Sequence, residues 1–257
     1  MGKIIAIANQ KGGVGKTTTS VNLSACLGKA GKKTLIIDID PQGNTTSGLG
    51  IDPKSLELSV YDCLINDTDM QDVILKTEFD NLWIVPSNIN LAGAELELVM
   101  KEKREYLLKS AIYKIKDYFD YIIIDCPPSL GLITLNSFSA SDSILVPIQC
   151  EYYALEGLGQ LTNTIKMVKK SLNTSLSIEG ILLTMFDART NLSIQVVDEV
   201  KKFFGGKVFK TIIPRNVRLS EAPSFGQPII EYDKHSKGAE MYTELAGEVI
   251  ERNSALK

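Results

Sequence analysis

The stretch Lys11-Gly12-Gly13-Val14-Gly15-Lys16-Thr17-Thr18 follows directly on the apolar run Ile4-Ile5-Ala6-Ile7-Ala8. A buried strand must therefore feed a glycine-rich turn and then a helix, and this constrains the fold more than any other segment. Glycines let successive backbone N–H groups turn toward one anion, and the helix N-terminus adds partial positive charge at the same point. Lys16 and Thr17 set a cation and a hydroxyl suited to Mg²⁺ beside it, so the loop predicts a site for a nucleotide phosphate. The spacing departs from the usual G-x-x-x-x-G-K-S/T pattern. Gln10 stands where the first glycine is expected, and an additional lysine, Lys11, stands at the loop's entry.

Short apolar runs alternate with helical patterns along the rest of the chain. Strands are predicted over Ile4 to Ala8, Thr34 to Ile37, Leu82 to Val85, Tyr121 to Ile124, Ile144 to Ile148, Gly180 to Met185 and Val208 to Ile213. Their near-continuous β-branched character predicts strands covered on both faces, hence an α/β fold: a mostly parallel twisted sheet flanked by helices on both faces. Helices are predicted over Thr17 to Lys29 with Gly31 as its stop, Arg104 to Tyr118, Leu155 to Ser171, Ser193 to Phe204 and about Gly238 to Arg252. No linker, repeat or low-complexity tract interrupts the pattern, which leads us to expect a single domain over residues 1–257. With the first strand at residue 3 or 4, no N-terminal operator-reading arm is expected.

Composition narrows the chemistry. No apolar run approaches the ~18 residues of a membrane span, and no leader pattern is visible, so a cytoplasmic protein without a membrane partner is expected. Cys26, Cys63, Cys126 and Cys150 form no C-x-x-C pair, which suits neither a disulfide framework nor a zinc site. His235 is the only histidine, so any hydrolysis must run on carboxylates, lysines and Mg²⁺. The net charge of −3 conceals an excess of +6 between Gln160 and Ser220, balanced by −9 elsewhere. Helix-surface lysines alone could account for much of that excess.

Four segments should converge at the C-terminal ends of the strands, where open α/β sheets bind ligands. They are the phosphate loop; Asp38-Ile39-Asp40-Pro41-Gln42-Gly43-Asn44; Asp125-Cys126-Pro127-Pro128, which ends an apolar strand in the form of a Walker B element; and Pro214-Arg215-Asn216-Val217-Arg218. Asp38, Asp40 and Asp125 could each cap a turn instead, and Arg215 and Arg218 could be plain surface charges.

With these residues in place, the chain resembles the deviant Walker A P-loop NTPases, the group holding ParA, MinD and the nitrogenase iron protein. Asn9 to Thr19, Asp38 to Asn44, Asp125 to Gly131 and Pro214 to Ser224 look like the chromosomal ParA (Soj) proteins of bacteria, as does Gln149-Cys150-Glu151-Tyr152-Tyr153-Ala154-Leu155-Glu156-Gly157. The last two stretches are the more specific, and the resemblance spans nearly the whole chain.

The resemblance implies ATP and Mg²⁺ as cofactors. ATP would be held by Lys11, Gly12, Gly13, Val14, Gly15, Lys16, Thr17 and Thr18, with Pro214 and Asn216 at the adenine. Thr17 would ligate Mg²⁺, and Asp125 would hold it through water. Lys11 would reach the nucleotide of a second subunit in an ATP-sandwich homodimer. Asp40 would orient the attacking water with Asp38 in support, giving slow intrinsic hydrolysis stimulated by the basic tail of a ParB-type partner. Arg189 and Arg218 match positions for non-specific double-stranded DNA binding, which implies a nucleoid-associated partition ATPase. Three rival readings share the same engine. A MinD-like membrane cycler needs a basic amphipathic C-terminal anchor, whereas the stripe from Met241 to Glu251 has an acidic polar face. An iron–sulfur protein needs paired interface cysteines, and a small-molecule ligase would use the same fold differently.

Overall fold

The computed structural model describes residues 2–151 and 154–254, with side chains placed outside 154–158; Tyr152 and Tyr153 of the ParA-like motif, and the side chains of Ala154 to Gly157, lie outside the described residues. In chain order the elements are β1 (Lys3–Ile7), α1 (Lys16–Lys29), β2 (Thr34–Asp38), α2 (Asn44–Gly48), α3 (Val60–Ile65), α4 (Met70–Val73), β3 (Leu75–Lys76), β4 (Leu82–Val85) and α5 (Leu91–Leu98). There follow α6 (Leu107–Tyr113), β5 (Tyr121–Asp125), α7 (Leu132–Ala140), β6 (Ser143–Gln149), α8 (Ala154–Ser171), β7 (Ser177–Phe186), α9 (Asn191–Phe204), β8 (Val208–Pro214), α10 (Val217–Glu221), α11 (Ile229–Tyr232) and α12 (Lys237–Ser254). Eight strands form one sheet in the order β3-β4-β2-β5-β1-β6-β7-β8, parallel except for the two-residue β3.

Strand residues alternate between two cores, as the period of two requires. Ile4, Ala6, Leu35, Ile37, Ile122 and Ile124 face one core with α3 to α9, whereas Ile5, Ile7, Ile36 and Ile123 face the other with α1, α11 and α12. Burial on both faces is why these strands read as unbroken apolar runs. The acidic-faced C-terminal stripe belongs to the second core: Tyr242, Leu245, Ala246 and Val249 of α12 are buried against it. Among the described residues no helix is long and apolar enough to cross a membrane.

All seven expected strands are present, but the helices need correction. The helix expected over Arg104 to Tyr118 shrinks to α6 followed by a 3₁₀ turn at Lys116–Tyr118. Asn136 of α7 is the reason, because its amide donates to the carbonyl of Arg104 (2.7 Å) and its oxygen accepts from the Leu108 N–H (3.1 Å), taking backbone groups that an earlier helix start would need. The short helices and β3 were not expected, nor were α5 and α7. In α7 the segment Leu132–Ala140 is almost wholly buried, so no amphipathic period marks it.

Close packing of α1 on the sheet edge makes one glycine decisive. A Cβ on Gly28 would lie 2.2 Å from the carbonyl oxygen of Asp80, whereas one on Gly247 of α12 would meet nothing within 4 Å. Gly28→Ala should lower stability by about 1–3 kcal/mol through overpacking. Gly247→Ala should raise it by up to about 1 kcal/mol through helix propensity. Urea unfolding midpoints check both, and an unchanged midpoint for Gly28→Ala contradicts the packing described.

Candidate functional site

The parallel pairing of β1, β5 and β2 sets the site. Asp125, the last residue of β5, lies in register with Ile7 on one side and Asp38 on the other. The loop after β1 therefore rises beside two buried carboxylates. Gly13 and Gly15 hold φ values of +73° and +87°, so the turn into α1 uses conformations open chiefly to glycine. No side chain caps the N-terminus of α1. Its first-turn N–H groups are thus directed at the loop's interior.

Asp125 is fully buried and collects three hydroxyls. Ser20 donates to Oδ1 (2.7 Å), and Thr17 (2.9 Å) and Thr45 (2.7 Å) donate to Oδ2. Burial drives its carboxyl above the ordinary carboxylate range against the pull of these donors. Asp38, equally buried, is also raised, by burial first and by the charge of Asp125 second. Its oxygens accept from the N–H of Asp40 (3.2 Å) and from the N–H and hydroxyl of Thr46 (2.9 and 2.7 Å). Asp40 is buried too, and its Oδ1 accepts from the Gln42 N–H (3.0 Å). Asp38 at the end of β2 and Asp40 two residues on therefore both shape the turn that follows the strand.

Lys16 and Lys11 differ sharply. Lys16 is buried, its ammonium donates to the Lys11 carbonyl (3.1 Å), and burial depresses its pKa against the attraction of Asp125. Lys11 is partly exposed and pairs with Glu151 (3.4 Å), which also receives Arg215 (3.3 Å) and the Gln149 amide. Half-exposed pairs of this kind contribute only about 0–1 kcal/mol, so little holds Lys11 in place.

Pro214 and Asn216 line a cavity of about 480 Å³ that opens beside Gly15 and Thr18, with Thr184, Met185 and Tyr242 among its other walls. Asn216 caps α10 by accepting from the Arg218 N–H (2.8 Å). Thr184 donates to the Val14 carbonyl (2.9 Å), tying the cavity wall to the loop. Met185 holds φ at +51°, a strained conformation that costs about 1–3 kcal/mol and is characteristic of ligand sites. The side chains of Arg189 and Arg218 are engaged in ion pairs of their own. Arg189 is bidentate on Asp187 (2.9 and 2.7 Å), and Arg218 meets Glu221 (2.8 Å) and Asp233 (3.5 Å).

Ser20, Thr45, Glu151 and Met185 were not singled out as site residues from sequence. Only Ser20 carried a usable signal, since it falls three residues after Thr17 on the same helix face. Glu151 lies in the stretch from Gln149 to Gly157, where no charge pattern points to Lys11.

A glycine loop capping a parallel sheet, a lysine and threonine entering α1, and an aspartate delivered by the neighbouring strand define a P-loop nucleotide-binding protein. The family model described as "AAA domain" matches residues 2–178. The sporulation initiation inhibitor protein Soj of Bacillus subtilis is 65% identical over 97% of this chain and 98% of its own. The chromosome-partitioning ATPase Soj of Treponema pallidum is 52% identical over 98% and 99%. Among solved structures, cobyrinic acid a,c-diamide synthase from Mycobacterium smegmatis with bound ATP analogue and magnesium superimposes with a TM-score of 0.88 at 38% identity, covering 100% of this chain and 98% of that one. The chain belongs to the Soj/ParA family of chromosome-partitioning ATPases.

Among the described residues all four cysteines are free and buried, and burial pushes the thiols of Cys26, Cys63, Cys126 and Cys150 up to about 12. The thiolate is the reactive form, so at pH 8 all four should be protonated and inert. Iodoacetamide followed by mass spectrometry should label none of them in the native protein and all four in urea; rapid native labelling at Cys126 would contradict the burial described.

Proposed function

We propose that the chain is an ATP-dependent dimerising switch that binds duplex DNA without sequence preference and hydrolyses ATP slowly until a ParB-type partner stimulates it. ATP and Mg²⁺ fit the residues present. The uncapped N-terminus of α1, the open space around Gly12 and Gly13, and the buried Lys16 suit a polyphosphate, and the Asp125 carboxylate with the Thr17 hydroxyl suits a hard cation. Lys16 and the N–H groups from Gly13 to Thr18 would hold the phosphates, Thr17 and Asp125 the ion, and Pro214 and Asn216 the adenine. The bound ion would neutralise charge on the transferred phosphoryl group. Asp40, with Asp38 supporting its turn, is the carboxylate available to orient water. With no stronger base in the site, slow turnover follows.

The contrast between the two lysines carries this reading. Lys16 is buried and anchored within its own subunit, whereas Lys11 stands at the rim, tethered by one weak pair. Two polyanions brought face to face would repel, and a rim cation given by each subunit to the other's nucleotide turns that repulsion into a contact that requires the γ-phosphate. Dimerisation doubles the phosphate contacts made by Arg189, Arg218 and the lysines near them, and each contact contributes a salt slope of roughly −0.9 in log K. The association would be nucleoid-bound and cytoplasmic. The ligase reading is the weaker one, since the synthase resembles this chain at 38% identity and the Bacillus Soj protein at 65%.

Sedimentation with ATP, ADP and duplex DNA tests the proposal. The wild type should be dimeric and DNA-bound only with ATP, Lys11→Ala should stay monomeric, and Asp40→Ala should accumulate as a DNA-bound dimer. Arg189→Glu and Arg218→Glu should dimerise normally but lose salt-sensitive DNA binding. A wild type that remains monomeric in ATP would overturn the mechanism.

A further inference from the structure

Two segments far apart in the chain line one cavity of about 400 Å³ beside Thr17 and Thr18, the first with Asn44 and Ser47, the second with Pro223 and Ser224. The first runs from Asp40 through α2 to Gly50, and the second from Asn216 through α10 to Gly226. Each is a continuous hydrogen-bonded run. In the first, the Asp40 carbonyl accepts from the Gly43 N–H (3.0 Å), that of Gly43 from Ser47 (2.9 Å) and that of Ser47 from Gly50 (3.0 Å). In the second, the Asn216 side chain accepts from the Arg218 N–H (2.8 Å), the Arg218 carbonyl from Ala222, and the Pro223 carbonyl from Gly226 (3.1 Å). The far end of the first run carries Asp40, and the far end of the second lines the 480 Å³ cavity with Asn216.

The near ends meet backbone to backbone. Gly50 and Gly226 hold φ values of +80° and +65°. A Cβ on Gly226 would lie 2.6 Å from the Cα of Gly50 and 2.9 Å from its nitrogen, and one on Gly50 would lie 3.3 Å from the Gly226 carbonyl oxygen. The left-handed turn alone does not demand such closeness, since Gly31 after α1 holds φ at +78° with nothing within 4 Å of its Cβ position. At the Gly50–Gly226 contact no flexible side chain stands between the segments to absorb a shift, and close-packed atoms transmit strain. Leu49 from the first segment is buried in the same core as Leu219 and Ala222 from the second, which holds the contact closed. The short helix α2 also carries Thr45 onto Asp125 and Thr46 onto Asp38, so a displacement at Gly50 reaches both of those carboxylates as well as Asp40.

We propose that Gly50 and Gly226 are positioning residues for hydrolysis, because their backbone contact makes the placement of Asp40 depend on the base held in the neighbouring cavity. The inference deepens the proposed function and rests on its placement of adenine at Asn216 and of the attacking water at Asp40. A base seated against Asn216 fixes α10 and the turn to Gly226, and the contact passes that position to Gly50, α2 and Asp40. Binding energy from a part of the substrate remote from the reaction is then used at the reacting centre, so removal of the base costs kcat and not KM alone. A misplacement of about 1 Å in such a site can cost ~100-fold.

The test uses the full chain with Mg²⁺, follows phosphate release, and compares ATP with ribose 5-triphosphate, which lacks the base. The wild type should turn over ribose 5-triphosphate with a kcat about tenfold or more below that for ATP, and with a higher KM. Gly226→Ala and, from the other side, Gly50→Ala should lower kcat for ATP to within about twofold of the value without the base, while ATP keeps the lower KM. Gly50→Ala, which meets the looser 3.3 Å contact, decides the matter if Gly226→Ala does not fold. Gly31→Ala incurs similar backbone strain in open space and should keep the wild-type ratio of kcat values. Equal kcat for the two substrates in the wild type, or an undiminished ratio in Gly50→Ala, overturns the inference. Loss of the ratio in Gly31→Ala also overturns it, because destabilisation alone would then account for the effect. Asn216→Ala with an unchanged KM for ATP would refute the adenine placement and this inference with it. A raised KM in Asn216→Ala beside a base-independent kcat in the wild type refutes the inference alone.

Discussion

The buried carboxylate of Asp125 organises this molecule. It ends the central strand β5, stands in register with Asp38, and draws Thr17 and Ser20 from α1 and Thr45 from α2 onto its two oxygens. Burying a charge without water is costly unless it is hydrogen-bonded or neutralised. Three hydroxyl donors meet part of that cost, and the raised proton affinity of both aspartates shows the remainder. A divalent ion is the natural way to meet it. The same bonds tie the phosphate loop's helix and the loop after β2 to one strand end, so a change in charge at this point is felt by both. That coupling is the physical basis for reading the site as a switch.

Around that centre, cations are arranged by depth. Lys16 lies inside, Lys11 and Arg215 share Glu151 at the rim, and the lysine-rich β7-β8 side lies farthest out. Their energetic weights differ accordingly, because a buried cation acts at low effective dielectric and a half-exposed one is largely screened. Lys11 and Arg215 are therefore both weakly held, and in the proposed dimer it is Lys11 that would exchange its internal partner for an external one. Glu151 is what it would leave behind.

The sequence made the sheet and the phosphate loop legible for one reason: strands buried on both faces cannot avoid showing continuous apolar runs, and a loop that binds phosphate cannot avoid glycine. The meeting of Asp38, Asp40, Asp125 and Pro214 at one edge followed from the parallel order. What stayed hidden lacks a periodic signature. Helix α7 is buried nearly all round, α5 is apolar on its exposed side, and β3 is two residues of antiparallel edge. The pairing of Lys11 with Glu151 joins residues 140 positions apart, and no local pattern encodes it. The positive φ at Met185 falls on a residue type that gives no warning of it.

In the proposed mechanism Asp125 makes ATP binding depend on Mg²⁺, whereas Lys16 holds the phosphates without it. Isothermal titration of ATP into the wild type and Asp125→Asn, each with Mg²⁺ and with EDTA, tests it most directly. Mg²⁺ should tighten ATP binding markedly in the wild type and little in Asp125→Asn, with the two proteins alike in EDTA. An equal Mg²⁺ effect in both would contradict it.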